Sequence, residues 1–204
     1  DFTVGNGAAS AFSATSATVY TALITPASDG SVTVDVAAAA AQDAAGNGNA
    51  AATQFSITND ETAPTVALTT GSADPVSGAF TLTATFSEDV TGFALGDFTV
   101  GNGAASAFSA TSATVYTVLI TPAGDGAVTV DVAAAAAQDT AGNDNTAATQ
   151  FSITNDETAP AVALTTGSSD PVSGAFTVPA TFTEVGTGFG LGGFTVRNGA
   201  ASAF

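Results

Sequence analysis

Apolar and polar residues alternate along much of the chain, and the clearest case is the segment 79–86. Phe80, Leu82, Ala84 and Phe86 are separated there by threonines. A period of two directs one set of side chains to a core and the other to water, which is the pattern of a β-strand. The same pattern predicts seven strands between residues 61 and 156: 65–70, 79–86, 98–100, 104–108, 115–120, 127–132 and 147–153.

These strands indicate a fold class. Short strands separated by turn residues, in a unit of about 100 residues, are typical of an antiparallel two-sheet sandwich of the immunoglobulin type. Asn102 and the glycines beside it suit a tight hairpin between the third and fourth strands, since Asn and Gly tolerate positive φ angles. Residues 133–137 are all alanine. Such a short run does not nucleate a helix alone, so we predict at most one turn there.

The whole pattern returns with a period of 96 residues, and residues 1–60 differ from 97–156 at only six positions. A period this long matches an independently folding domain rather than one unit of a solenoid. We predict the C-terminal part of an Ig-like repeat at 1–60, a complete repeat at 61–156, and the N-terminal part of a third, divergent repeat at 157–204. Both chain ends fall within a repeat, so we expect this sequence to be a segment of a longer polypeptide.

Three segments of the complete repeat resemble a known family: Ser-Glu-Asp-Val-Thr-Gly-Phe-Ala-Leu-Gly-Asp-Phe-Thr-Val at 87–100, Asp-Gly-Ala-Val-Thr-Val-Asp-Val at 125–132, and Asp-Thr-Ala-Gly-Asn at 139–143. The repeat is similar to the bacterial Ig-like domains of large surface adhesins and biofilm-associated proteins. The resemblance covers the whole repeat and hence the whole chain. It implies a secreted or surface-anchored stalk that extends a binding tip from the cell, with calcium stiffening the joints between domains.

Composition narrows the possible chemistry. Cys, His, Met, Trp and Lys are absent, and Arg197 is the only basic residue against 18 acidic ones, for a net charge of −17. A Cys nucleophile, a His base, a Schiff-base Lys and a His or Cys zinc site are therefore excluded. Paired-carboxylate glycosidases remain, but they use clefts usually lined with aromatic side chains, and this chain has only Tyr20, Tyr116 and 14 Phe, most of them at core positions. We predict no catalytic residues and no enzymatic activity.

The same composition limits the partners. Nucleic acids and anionic membrane surfaces are bound through Lys and Arg, which this chain nearly lacks, so neither is expected. The longest apolar run, 132–137, is far too short to span a bilayer, and no membrane insertion is predicted. Cations are the natural counter-charge.

Acidic residues are predicted to gather at one pole of the sandwich. Alternating strand direction brings together the linker, the loop after the second strand, the start of the third strand and the loop before the seventh. Like charges about 4 Å apart cost on the order of 1 kcal/mol even in water, and a hard cation reverses this repulsion. Calcium fits best, because it accepts six to eight oxygen ligands in irregular geometry, and magnesium is second. The candidate ligands are Asp60, Glu61, Glu88, Asp89, Asp97, Asp139 and Asn143.

A simpler interpretation stays open for these residues. Acids in loops are often solvated turn formers, and Asp139 and Asn143 can bond to their own backbone. Asp131 points outward on its strand, between Val130 and Val132, and is interpreted as a solubilising charge. Asp74 and Asp125 belong to the opposite pole and are interpreted as turn residues, although either could reach the next joint.

The third copy departs from the pattern. Val185 and Gly193 replace the acids found at Asp89 and Asp97, so we expect its joint to bind cations less well. Pro179 occupies a predicted strand, where its missing N–H weakens the pairing.

Three functions are compatible with these features. The leading one is an extracellular structural extender whose partners are the neighbouring repeats of the same chain. The alternative is a homo-oligomer or extracellular fibre in which residues 1–60 of one molecule and 157–204 of another complete a sandwich by strand addition. A carbohydrate-binding module is third, because few aromatic residues are available for stacking on a sugar.

Overall fold

The computed structural model describes residues 1–202, which form two compact units, one of residues 1–156 and one starting at Glu157. Regular structure is β apart from short 3-10 turns at Leu95–Asp97 and Leu191–Gly193. The strands of the first unit are β1 (Phe2–Gly5), β2 (Gly7–Ala14), β3 (Tyr20–Pro26), β4 (Gly30–Val36), β5 (Phe55–Asn59), β6 (Val66–Thr70), β7 (Phe80–Phe86), β8 (Phe98–Gly101), β9 (Gly103–Ala110), β10 (Val115–Pro122), β11 (Gly126–Val132) and β12 (Phe151–Asn155). The second unit contains β13 (Val162–Leu164) and β14 (Ala180–Phe182).

Residues 61–156 build two antiparallel sheets. One has the strand order β6-β7-β10-β9 and the other β12-β11-β8. A division of seven strands into four and three, with this connectivity, is the constant-type immunoglobulin arrangement. The prediction of an all-β fold with Ig-like antiparallel sandwiches is confirmed.

The core of this repeat follows from strand alternation. In β7, Leu82 and Ala84 are fully buried while Thr81 and Thr85 are exposed. The inward residues of β10 and β11 face the same interior. Phe93 completes the packing at one end of the core, where its ring lies within 6.0 Å, centroid to centroid, of the rings of Phe86, Phe98, Phe108 and Tyr116. Because both sheets contribute apolar side chains, burial of these faces stabilises the sandwich.

Two sequence predictions need correction. The hairpin around Asn102 is wrong, because β8 pairs with β11 and β9 pairs with β10. Asn102, with φ 55°, lies where the chain crosses from β8 in one sheet to β9 in the other. This crossing uses a positive φ angle, as a tight hairpin also would. Strand seven begins at Phe151 rather than at residue 147. The alanine run forms a turn and no helix, as predicted.

Residues 1–60 adopt the same local structure with a different environment. Here β1, β4 and β5 form one sheet, and β3 pairs with β2 among the residues that the structure describes. Tyr20 is 51% exposed, whereas its equivalent Tyr116 in the complete repeat is 6% exposed. Ile57 and Ile153 differ in the same way, at 57% and 4%. The apolar side of these strands is therefore open.

Among the described residues of the second unit, 157–202, the structure has one short strand pair. Strands β13 and β14 pair antiparallel over three residues each, whereas the equivalent β6 and β7 are five and seven residues long. Strand β14 begins directly after Pro179, which has no N–H to donate. The shorter pairing agrees with the effect predicted for this proline.

Candidate metal centre

Three carboxylates from three separate segments meet at the junction between residues 1–60 and the complete repeat. Asp60 is in the linker, Glu88 follows β7, and Asp139 lies between β11 and β12. One carboxylate oxygen from each lies within 4.8 Å of the other two. Asp60 and Glu88 are half-buried and Asp139 is buried, so water screens these charges less than it would at an open surface.

Asp139 is held in place by its own loop. Its Oδ1 accepts hydrogen bonds from the backbone N–H groups of Ala141 (2.8 Å), Gly142 (2.7 Å) and Asn143 (2.8 Å). Although burial alone raises the pKa of Asp139, the hydrogen bonds from Asn143 and from these backbone groups outweigh it and lower the pKa. Asp139 is thus an anion whose orientation is fixed before any ligand binds.

Asn143 connects this loop to the linker. Its Nδ2 donates to Asp139 Oδ2 at 2.8 Å and to the backbone oxygen of Asp60 at 3.0 Å. The loop closes tightly because Gly142 adopts φ 93°, a conformation that side chains disfavour. In residues 1–60, Asp43 accepts the equivalent hydrogen bond from Asn47 at 2.9 Å, so the local sequence determines the conformation of this loop. The hydrogen bond from Asn143 to Asp60 is an additional contact that the joint provides.

The ionised form of Glu88 is disfavoured at this site. Burial raises its pKa first, and the negative charges of Asp60, Asp139 and Asp29 raise it further. A carboxyl whose folded pKa is above its unfolded value destabilises the fold when ionised, and this cost appears as the pH rises through the folded pKa. A bound cation would remove that cost.

The other predicted ligands lie outside this group of three. Asp97 accepts a hydrogen bond from the N–H of Ala94 at 2.7 Å, within the 3-10 turn that precedes β8. Asp89 is exposed, and its charge raises the pKa of Tyr116 after the larger effect of burial. Glu61 is exposed, and its backbone N–H is bound to Asp29.

Asp29 is the residue that sequence analysis missed. It lies in the turn between β3 and β4, and it belongs to the repeat before the joint. Its equivalent in the complete repeat, Asp125, was predicted to lie at the opposite pole, from which it could reach the next joint. The same reasoning, applied to residues 1–60, would have identified Asp29. The carboxylate accepts bonds from the Thr62 hydroxyl and from the N–H of Glu61, and these lower its pKa in that order.

The arrangement fits a hard cation. Calcium binds oxygen at 2.3–2.6 Å, so two ligands of one ion are at most about 5 Å apart, and the three carboxylate oxygens, which lie within 4.8 Å of one another, meet this limit. The donors are carboxylate oxygens, which calcium and magnesium prefer. Asp60, Glu88 and Asp139 would hold the ion, and backbone oxygens or water would fill the remaining positions.

Two surface grooves of the complete repeat differ in chemistry from the cluster of Asp60, Glu88 and Asp139. One is lined by Ser72, Pro75 and neighbouring small residues, and the other by β6 and residues 149–152. Neither has a carboxylate among its lining residues, and Phe151 is the aromatic residue in the second.

Among residues 1–202, no helix is both long and apolar enough to cross a membrane.

The family assignment follows from sequence comparison. The family model described as bacterial Ig-like domain matches residues 1–58 and again residues 60–154. Searches of curated proteins and of solved structures find no match. The two matched segments meet at the linker that contains Asp60, and together they cover most of the chain. The chain therefore belongs to the bacterial Ig-like domain family.

Proposed function

We propose that this chain is a structural extender in the stalk of a long, repetitive extracellular bacterial adhesin, and that calcium stiffens the joints between its repeats. The observation that carries the proposal is the convergence of Asp60, Glu88 and Asp139 at a joint, with carboxylate oxygens within 4.8 Å of one another. Linker and loops would share one ion, so binding would restrict movement of the linker relative to the repeat.

Repetition supports the mechanical part of the proposal. Nearly identical consecutive domains add length, and a catalyst seldom benefits from serial copies of itself. Bacterial Ig-like domains are generally non-enzymatic, which agrees with the missing Cys, His and Lys side chains. Extracellular millimolar calcium is within the range at which protein modules of modest affinity are occupied, which supports a location outside the cell.

Charge supports the choice of ligand. The sequence has 18 acidic residues and a single basic one, so carboxylates at the joint have few cationic side chains to pair with. Calcium is preferred over magnesium because magnesium requires near-ideal octahedral geometry at about 2.0–2.1 Å. Three carboxylates on separate loops supply an irregular ligand set that calcium tolerates.

Calorimetric titration of the full chain with calcium tests the site. We expect a saturable binding event that Glu88→Gln weakens strongly, because the variant loses one anionic ligand. Asp131→Asn is the matched control, since Asp131 accepts a bond from Gln150 at 2.8 Å and lies outside the cluster. Equal calcium affinity in wild type and Glu88→Gln would contradict the assignment, and magnesium titration measures selectivity.

Assembly of copies by strand addition is the second candidate, and the open apolar side of residues 1–60 favours it. In the complete repeat, β10 pairs with β7 in the register Leu119 with Thr81. The equivalent residues are Leu23, which is 60% exposed, and Thr177. Residues 176–182 of a second copy, which are equivalent to β7, could therefore occupy the edge of β3 in the register that β7 uses within the complete repeat.

Disulfide trapping tests this candidate, because the chain has no native cysteine. Mixing Leu23→Cys with Thr177→Cys should yield a mixed dimer much faster than mixing Leu23→Cys with the off-register Thr181→Cys. All three positions are exposed. Equal rates for the two mixtures would exclude specific pairing between copies. A crosslinked monomer from the Leu23→Cys, Thr177→Cys double variant would indicate closure within one chain.

A further inference from the structure

The joint has a second connection that involves no ion. Asp29, from the turn between β3 and β4, contacts the linker through both carboxylate oxygens. Oδ1 accepts the backbone N–H of Glu61 at 2.7 Å, and Oδ2 accepts the hydroxyl of Thr62. Two different linker residues are thereby tied to the repeat that precedes them.

The turn that presents Asp29 is itself braced from two sides. The backbone oxygen of Ser28 accepts bonds from Asn6 Nδ2 at 2.9 Å and from Asn59 Nδ2 at 3.2 Å. Asn6 lies between β1 and β2, and Asn59 ends β5, directly before the linker. The ends of β1 and β5, which flank β4 in one sheet, therefore fix the turn, and the carboxylate has a defined direction toward the linker.

The same groups recur at the repeat period. Asp125, Glu157 and Thr158 stand 96 residues after Asp29, Glu61 and Thr62. The brace recurs as well, because Asn102 Nδ2 and Asn155 Nδ2 both donate to the backbone oxygen of Gly124, at 3.1 and 3.0 Å. By contrast, the third copy has lost the acids equivalent to Asp89 and Asp97. Asp156 and Glu184 remain at the positions of Asp60 and Glu88, so the third copy keeps the residue types of the linker contact and part of the acidic cluster.

We propose that Asp29 is a latch that holds the linker of the following repeat without any cation, by accepting hydrogen bonds from the backbone N–H of Glu61 and the hydroxyl of Thr62. The latch sets the resting geometry of the joint, and an ion adds stiffness to it. Because its donors are a backbone N–H and a hydroxyl, the latch works when the acidic cluster is empty.

Distance measurements between spin labels on the full chain in EDTA test the latch. Ser13→Cys and Ser109→Cys place one label at equivalent exposed positions of the two repeats, in a chain that has no other cysteine. We expect a narrow distance distribution that Thr62→Val broadens and Thr62→Ser keeps narrow, since Ser retains the hydroxyl. Thr62 is exposed, so neither variant should disturb the core.

Variants at Asp29 complete the test. Asp29→Ala should broaden the distribution in EDTA, while Asp35→Ala should leave it unchanged, because Asp35 contacts Gln54 within its own repeat at 2.9 Å. Thr62→Val carries no change of charge, so its effect cannot come from altered repulsion at Glu88. Distributions of equal width in wild type, Thr62→Val and Asp29→Ala would overturn the latch. Because EDTA is present throughout, this result is independent of calcium binding.

Discussion

Leu82→Ala is expected to lower the free energy of unfolding of the complete repeat by about 2–5 kcal/mol. Leu82 is fully buried in the central strand β7, where it pairs with Val118 of β10 and Thr70 of β6. Truncation removes apolar contacts and leaves a cavity that two flanking strands prevent from collapsing. Chemical denaturation followed by circular dichroism measures the loss.

The neighbouring residue provides the control for this substitution. Thr81 is exposed on the opposite face of the same strand, so Thr81→Ala should change the unfolding free energy by no more than about 0.5–1 kcal/mol. A similar loss in both variants would mean that strand propensity, rather than packing between the sheets, dominates stability at β7. It would contradict the sandwich core described above.

Calcium is expected to stabilise the first unit by about 2.7 kcal/mol when its free concentration is one hundred times the dissociation constant. An ion that binds the folded cluster and not the unfolded chain shifts the equilibrium by mass action. Differential scanning calorimetry of the full chain should therefore show a higher Tm in calcium than in EDTA. Asp131→Asn should keep this shift, and Glu88→Gln should lose most of it.

Glu88→Gln should have a lower Tm than wild type in calcium, but a higher Tm than wild type in EDTA. Ionised Glu88 destabilises the joint, because burial and the charges of Asp60, Asp139 and Asp29 raise its pKa. Removing the charge should raise the Tm in EDTA at neutral pH, and the gain should shrink as the pH falls and wild-type Glu88 becomes protonated. A variant less stable than wild type in EDTA would show that Glu88 has a favourable partner other than a cation.

The fold is predictable from sequence wherever a local pattern decides the geometry. Alternation in β7 and β11 identifies their inward residues, because a strand has only two faces. Asn102 shows the limit of this approach. A positive φ angle suits both a hairpin and a crossing between sheets. The crossing forms because β8 pairs with β11 and β9 pairs with β10, and the sequence around Asn102 does not show these pairings.

The candidate site is predictable to the extent that strand direction determines it. Strand direction alone places Asp60, Glu88 and Asp139 at one pole. It does not show that the turn before β8 engages Asp97, because that bond depends on the backbone conformation of three residues. Asp29 escaped because it reaches the site from the preceding repeat, and analysis of one repeat at a time does not detect a contact between two.

Calcium should stiffen the joint, and the distance distribution between labels at Ser13→Cys and Ser109→Cys measures this stiffness. We expect a narrower distribution in calcium than in EDTA for the otherwise unchanged chain, and no calcium-dependent narrowing when Glu88→Gln is added. Distributions of the same width in calcium and in EDTA, measured where calorimetry shows the site to be saturated, would contradict the claim.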